Sequence, residues 1–407
     1  MPIMKLNFET LDPRSWKPRI SNDVKIVEVD GMFIFTQTIL GYQLSVNKDT
    51  FLLLSSFDGT KTLEEISKEF DLSLIPSAET DNFFNFLQKN FIIKGFIETE
   101  ASIKKRPNAS FLFFKFSIIK EGLKRMNNFI FFDFLFREIF FYPSFFFVFL
   151  LNLVLYVIYT QQSVVVQTSY WGLMGALFLC HFIHEWGHVL SAKSFGAKPK
   201  EIGFGIYLVL PVFYTDLSDC WNIPSKKRII VNLSGIYFDY ILSSLFYLIF
   251  YVTGNYFFVV LATLNFIKSW YNLNPLLQSD MYWVFSDFFK RPNLTSDAIN
   301  AVIGLRKNLK KLIALKFHYS EYIVLCYGCA IIIFWGLIIY RFSFFSNKFF
   351  KQIPDSLFNI IRMVQKNTFE FNIFFESLYN IIFSIFIIFI IYSLLKRIIL
   401  VLVQAVK

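Results

Sequence analysis

The residues whose types and spacing point most directly to chemistry are His184, Glu185 and His188, in the sequence His-Glu-Trp-Gly-His. On a helix, side chains four residues apart lie on one face, so the two imidazoles can share one metal ion. An H-E-x-x-H pattern on a helix is typical of zinc sites in which the glutamate is the general base. The pattern therefore predicts zinc bound by the two histidines, with Glu185 as the catalytic residue.

His181 lies one turn before His184 and belongs to the same cluster, which holds three of the four histidines of the chain. Two histidines and a carboxylate suffice for a catalytic zinc. We therefore expect His181 to support the ligands or to position substrate, rather than to bind the metal.

A catalytic zinc needs a third protein ligand and an open position, and several carboxylates are candidates for that ligand. Asp280 comes at the end of the fourth apolar run, where Pro275 breaks the helix and irregular backbone can line a polar cavity. Asp239, inside the third apolar run, is its main rival. Asp216 and Asp219, in a loop, are more distant candidates.

The composition of the chain defines the surroundings of these polar residues. Of the 407 residues, 55% are hydrophobic, 20% are aromatic and only 17% are charged, whereas a soluble chain is about 25% charged. This composition excludes a disordered protein, a collagen and a disulfide scaffold, and it favours a polytopic membrane protein. Ionisable side chains inside a membrane helix are costly and their default explanation is function, which strengthens the interpretation of the histidine cluster.

Six apolar runs, each near or above the about 20 residues that a membrane span requires, form the predicted membrane part. They lie at 143–160, 171–192, 229–252, 256–277, 321–340 and 377–395. The connecting segments 193–228 and 290–316 are basic, whereas 161–170 carries no charge. The positive-inside rule then places both termini in the cytoplasm. We predict a mainly α, multi-pass protein of a bacterial cell membrane with about six transmembrane helices in the lipid bilayer.

The sequence pattern of residues 20–100 predicts a small, cytoplasmic α+β domain with winged-helix-like features. Two β-rich runs, Val24–Val29 and Met32–Phe35, are joined by an Asp-Gly pair, which is a strong hairpin signal. Asn47 and Thr62 are suited to cap two short helices, the second with a capping box, and a third helix is predicted over 78–90. The first hundred residues hold 10 basic and 15 acidic residues. Their net negative charge would repel phosphates, so we predict no nucleic-acid partner.

The motifs at 184–188 and 274–280 are similar to the paired motifs of the site-2 protease family, the intramembrane zinc metalloproteases. Residues 211–219, Pro-Val-Phe-Tyr-Thr-Asp-Leu-Ser-Asp, resemble the family's branch of peptide zinc metalloproteases found with modified-peptide and bacteriocin systems. The resemblance implies one Zn²⁺ site with the following residues: His184, His188 and Asp280 as ligands and Glu185 as general base.

The resemblance also makes Asn274, like His181 and Asp239, a candidate for supporting the ligands or positioning substrate. One position departs from the family pattern. The liganding aspartate is usually followed by glycine, and this chain has Met281 there, which lacks the backbone freedom of glycine.

The N-terminal domain resembles the PqqD-like fold through Tyr42–Asn47 and the segment 57–66. That resemblance implies binding of the leader peptide of a ribosomally made, modified peptide. A regulatory or assembly module is the alternative for this domain.

Together these features predict a membrane-embedded zinc metalloendopeptidase that cleaves a peptide or membrane-associated precursor during peptide maturation or export, with a peptide exporter as a further partner. The alternatives are a catalytically degenerate component of an export or immunity complex, and proteolysis of a membrane-bound regulator. The predicted parts are the PqqD-like domain at 20–100, a linker and amphipathic segment at 101–142, the metalloprotease membrane core at 143–300 and C-terminal membrane helices at 301–407.

Overall fold

The structure is a computed structural model of the chain. It describes residues 15–37, 42–70, 84, 87–92, 94–98, 112–120, 123, 133–160, 170–207, 210–304, 319–366 and short pieces between 373 and 384. Most of the predicted sixth span and of the uncharged loop at 161–170 therefore lies outside the described residues.

The N-terminal domain begins with a three-stranded antiparallel sheet. Its strands are β1 (Val24–Val29), β2 (Met32–Gln37) and β3 (Gln43–Val46), in the order β1-β2-β3. Asp30 and Gly31, between β1 and β2, both have positive φ angles, 53° and 74°. The predicted Asp-Gly hairpin is confirmed.

Two capped helices follow the sheet, α1 (Lys48–Ser55) and α2 (Leu63–Glu69). Asn47 caps α1 by accepting a hydrogen bond from the backbone of Thr50, and Thr62 opens α2 with a complete capping box. The predicted third helix is described only in part: a π-helical turn at Gln88–Ile92. Apolar side chains from all these elements form one buried core, which includes Phe35, Leu54, Phe57, Leu63, Ile66, Phe91 and Phe96.

The rest of the described chain is mostly helical. Its helices are α3 (Glu138–Thr160), α4 (Tyr170–Ser194), α5 (Ser225–Thr253), α6 (Phe257–Asn272), α7 (Asp280–Phe288), α8 (Leu294–Ile303) and α9 (Tyr319–Lys366). Among the described residues, three segments are long and apolar enough to cross a membrane: Glu138–Tyr159, Ser225–Thr253 and Glu321–Ile338. The count of six spans stays a prediction.

Helix α5 lies at the centre of this helical part and packs against α3, α4, α6 and α7. Buried amides join it to its neighbours. Asn152 of α3 donates to the main-chain oxygen of Tyr240 at 2.9 Å, and Asn265 of α6 donates to that of Asp239 at 2.9 Å. Because a buried polar group without a partner is costly, these bonds fix how the helices pack around α5.

The fourth predicted span ends earlier than the sequence suggested. Helix α6 stops at Asn272, and Asp280 does not end that span but begins the separate helix α7. Proline lacks a backbone N–H, and the side chain of Asn274 accepts a hydrogen bond from the backbone of Leu276 across Pro275. This turn redirects the chain between the two helices.

A second antiparallel sheet lies beside α4. Its strands are β4 (Leu112–Ile119), β5 (Ile202–Tyr207) and β6 (Leu210–Thr215), in the order β4-β5-β6. The sequence assigned 112–119 to a linker and amphipathic segment, and this was wrong. The strand forms through pairing with β5, far along the chain, and local sequence patterns do not show such pairing.

The N-terminal domain contacts the start of α5. The carboxylate of Asp30, in the β1–β2 turn, accepts a hydrogen bond from the backbone N–H of Ser225 at 2.8 Å. Pro224, which precedes this helix, provides no side-chain cap, so Asp30 supplies it from the other domain. A second bond joins the side chain of Gln43 to the carbonyl of Ser218 at 3.0 Å.

Candidate metal centre

His184 and His188 lie on the face of α4 that packs against α5, and both are buried. The Nδ1 of His184 donates to Oδ2 of Asp239 at 2.9 Å, and the Nδ1 of His188 donates to the carbonyl of Val231 at 2.8 Å. A neutral imidazole carries one N–H, so these bonds leave both Nε2 atoms with a free lone pair. The two Nε2 atoms lie 3.2 Å apart, an arrangement suited to binding a cation.

The carboxylate of Asp280 faces the Nε2 atoms of both histidines. Its oxygens lie 3.1 Å from Nε2 of His184 and 3.5 Å from Nε2 of His188. The three ligand atoms lie within 4.8 Å of one another. Oδ2 of Asp280 is buried and has no hydrogen-bond partner among the described residues. Asp280 is also the first residue of α7, where the helix dipole favours a negative charge.

Two glycines make the close packing of this site possible. A Cβ atom on Gly187 of α4 would lie 2.6 Å from the carbonyl oxygen of Ser234 on α5. A Cβ on Gly235 of α5 would meet the Nε2 atoms of both His184 and His188. The missing side chains therefore let the two helices approach and leave room in front of the imidazoles.

These residues fit zinc. Two imidazole nitrogens and one carboxylate are a known donor set of catalytic zinc sites, which leave a further position for the reaction. The structure brings together the three predicted ligands, His184, His188 and Asp280. Asp239, the rival third ligand, instead bonds the opposite nitrogen of His184, as carboxylates commonly do behind a zinc-binding histidine.

Glu185 is buried beside the ligands and has a defined partner. Its Oε2 accepts a hydrogen bond from the hydroxyl of Thr215 at 2.7 Å. Thr215 ends β6, so the second sheet fixes the orientation of the predicted base. Sequence patterns assign no separate role to Thr215, although it lies within the family-like stretch 211–219.

Lys268 of α6 is a further residue that the sequence analysis missed. Its ammonium group donates to Oδ1 of Asp239 at 2.8 Å, and Asp239 is fully buried. The signal in the sequence was a lysine inside an apolar run, and only the packing of α6 on α5 shows its partner.

The other residues that the sequence singled out do not belong to the group of three ligands. The His181 ring lies 5.7 Å from that of His184, and its buried Nδ1 has no partner among the described residues. Asn274 bonds the backbone of its own turn. Asp216 accepts a hydrogen bond from the backbone N–H of Ser218, and Asp219 accepts one from the backbone N–H of Lys198.

Met281 is the second residue of α7, and its side chain packs against the core formed by α3 and α5. Its φ angle is not positive. The position therefore requires no glycine, and the departure from the family pattern leaves the backbone of Asp280 intact.

Comparisons with known proteins agree with this centre. The sequence model described as peptidase family M50 matches residues 172–399, more than half of the chain. A protein of Bacillus subtilis (strain 168), named "Putative peptide zinc metalloprotease protein YydH", is 30% identical over 130 residues, which are 31% of this chain and 52% of that protein. The chain thus covers about half the length of this curated relative. No solved structure matches the chain.

Proposed function

The chain belongs to peptidase family M50, the site-2 protease family of membrane zinc metalloproteases, and on that basis we propose that it is a zinc endopeptidase with Glu185 as general base. The observation that supports this is the convergence of His184, His188 and Asp280 on one buried point, with Glu185 beside it. The roles of these residues follow from their contacts.

Zinc at this point would act as a Lewis acid on water and on the scissile carbonyl. The hydrogen bonds of Asp239 and Val231 hold the two imidazoles with Nε2 turned inward. Glu185 accepts a proton from the attacking water and donates it to the leaving amine. Thr215 bonds one carboxylate oxygen of Glu185, which leaves the other oxygen available for this transfer.

We propose that the substrate is a peptide or membrane-associated precursor. The name of the Bacillus relative, "Putative peptide zinc metalloprotease protein YydH", supports a peptide substrate. The N-terminal domain is proposed to be PqqD-like and to bind the leader of a modified peptide. A leader held there raises the effective concentration of the attached cleavage site. Maturation of the peptide before or during export, with an exporter as partner, is the role that we propose.

We also propose that the protein crosses the membrane several times with the N-terminal domain in the cytoplasm. The basic segments that flank the apolar runs support this orientation. The contact between Asp30 and Ser225 supports a common location for the N-terminal domain and the start of α5, which we propose to be the cytoplasmic side.

The test is Glu185→Gln in the full chain, because glutamine keeps the size and an acceptor oxygen but cannot take up the proton. We expect zinc content and folding to be unchanged, and cleavage of a precursor encoded beside this gene to fall by about 10²- to 10⁴-fold. Zinc per chain and cleavage are measured on the same purified sample.

The matched control is Glu321→Gln, a change of the same kind in α9, remote from the metal centre in sequence. It should leave cleavage unchanged. Normal precursor cleavage by Glu185→Gln would refute the protease proposal and favour the degenerate export or immunity component.

A further inference from the structure

Lys268 places a positive charge behind the zinc centre. It lies in α6, among apolar residues, and its side chain is 26% exposed, whereas its partner Asp239 is 0% exposed. A charged side chain inside a membrane helix is costly, and such residues normally have a functional partner. The contact with Asp239 supplies that partner.

The contact forms the outer part of a chain of hydrogen bonds. Lys268 donates to one oxygen of Asp239 at 2.8 Å, and the other oxygen of Asp239 accepts from Nδ1 of His184 at 2.9 Å. Asn265, one turn before Lys268, donates to the main-chain oxygen of Asp239. Helix α6 therefore holds Asp239 by both its side chain and its backbone.

The two zinc-binding histidines are held differently. His188 donates to a neutral backbone carbonyl, that of Val231, whereas His184 donates to a carboxylate. A carboxylate behind a ligand makes that ligand more basic, but it also adds a negative charge to a buried site. Such a charge is strongly unfavourable unless it is paired.

We propose that Lys268 is the counter-ion of the zinc centre, a positioning residue that acts through Asp239 on His184. The two charges of zinc and the charge of Lys268 together balance the three carboxylates of Glu185, Asp239 and Asp280. Without Lys268 the occupied centre would carry an unpaired negative charge inside the helices. This inference rests on the zinc site of the proposed function, but not on what the enzyme cleaves.

The experiment measures zinc affinity by chelator competition on the purified full chain. Lys268→Met keeps the apolar stem of the side chain and removes its charge. We expect this variant to bind zinc about 10- to 100-fold more weakly, as is typical when a residue that supports a metal ligand through hydrogen bonds is lost. Lys268→Arg keeps the charge and should bind zinc nearly as the natural chain does. Lys226→Met, at an exposed position in the first turn of α5, is the control and should have no effect.

A second comparison asks whether Lys268 acts through Asp239. In an Asp239→Asn background the buried negative charge is gone, so adding Lys268→Met should weaken zinc binding no further. If Lys268→Met alone fails to fold, the proposal is still tested by comparing the zinc affinity of the double variant with that of Asp239→Asn. We expect the double variant to fold because it contains no unpaired buried charge.

A Lys268→Met variant that binds zinc as tightly as the natural chain would overturn the proposal. A Lys268→Arg variant that binds zinc as weakly as Lys268→Met would overturn it too. A further loss of zinc in the double variant relative to Asp239→Asn would also overturn it. These outcomes are distinct from failure of the protease proposal: cleavage by Glu185→Gln refutes the protease and leaves the zinc affinities standing.

Discussion

Gly235 shows that the proposed zinc centre requires a residue without a side chain at this position of α5. Adding one methyl group there places a carbon against the Nε2 atoms of His184 and His188, the two atoms that we expect to bind zinc. Protein interiors are close-packed, and a helix backbone cannot easily move away. We therefore expect Gly235→Ala to lose most of its zinc, measured as metal content per purified chain, while the chain stays folded.

Gly175→Ala is the matched control for this prediction. Gly175 lies in α4, and a Cβ there has no atom within 4 Å. Alanine is favoured over glycine in a helix by about 1 kcal/mol, so this variant should keep its zinc and be at least as stable. Full zinc content in Gly235→Ala would show that the imidazoles do not bind metal at the point in front of α5.

The sequence predicted the residues of the centre better than their supporting contacts. The H-E-x-x-H spacing is a local property of one helix, so it pointed directly to His184, Glu185 and His188. Thr215 and Lys268 act through contacts with α4 and α5 that depend on tertiary packing. Asp239 and Asp280 both lie in or beside apolar runs, and only the folded chain shows which nitrogen of His184 each one faces.

Helix α5 connects the N-terminal domain to the centre. Its first backbone N–H is capped by Asp30 of the β1–β2 turn, and about three turns further on Gly235 lies against the imidazoles. The side chain of Arg228, in the first turn, donates to Asp287 at the end of α7 at 2.6 Å. The helix that begins with Asp280 is therefore held at its far end by the same part of α5 that contacts the N-terminal domain.

Replacing Asp30 by alanine should loosen the contact between the two domains. Loss of such a cap typically costs about 1 kcal/mol, so the first-turn amides of α5 should exchange hydrogen faster. If the N-terminal domain binds the leader, the KM for a leader-bearing precursor should rise, whereas cleavage of a leaderless peptide and zinc content should not change. Hydrogen exchange by mass spectrometry and steady-state kinetics measure these effects.

The same contact should depend on pH. Burial raises the pKa of Asp30, but the hydrogen bonds from Ser225 and the charge of Arg228 outweigh it and hold this pKa below the usual value. The contact is then fully present above the usual aspartate pKa and is lost as the pH falls through the lowered pKa of Asp30.

Glu28→Ala, at an exposed acid of the same hairpin, is the control for Asp30→Ala. Unchanged exchange in Asp30→Ala would show that Asp30 does not hold the domains together.

Local signals predicted single elements and failed where distant segments pair. The Asp-Gly turn, the caps of α1 and α2 and the break at Pro275 are set by neighbouring residues, and the structure contains all of them. Strand β4 was missed because its partner β5 lies beyond two long helices. That sheet places Thr215 against Glu185, so the missed strand is part of the support of the proposed base.

The orientation that we expect for the whole molecule in the membrane is argued from α5 and the charges at its ends. A helix rises about 1.5 Å per residue, so the 29 residues of Ser225–Thr253 exceed the about 30 Å of a bilayer core. The segment before this helix is basic and contacts the N-terminal domain, whereas Gly254 and Asn255 after it carry no charge. By the positive-inside rule we expect the first end to lie in the cytoplasm.

Cysteine labelling at the two ends of α5 checks this orientation. In a background with the four native cysteines replaced, Asn255→Cys should react with a membrane-impermeant maleimide added to intact cells. Lys198→Cys, in the basic segment before α5, should react only after the cells are permeabilised. Labelling of both positions from the outside, or only of Lys198→Cys, would contradict the orientation. The N-terminal domain would then lie outside the cytoplasm, because Asp30 and Gln43 fix it to the same end of α5 as Lys198, and a leader emerging in the cytoplasm could not reach it.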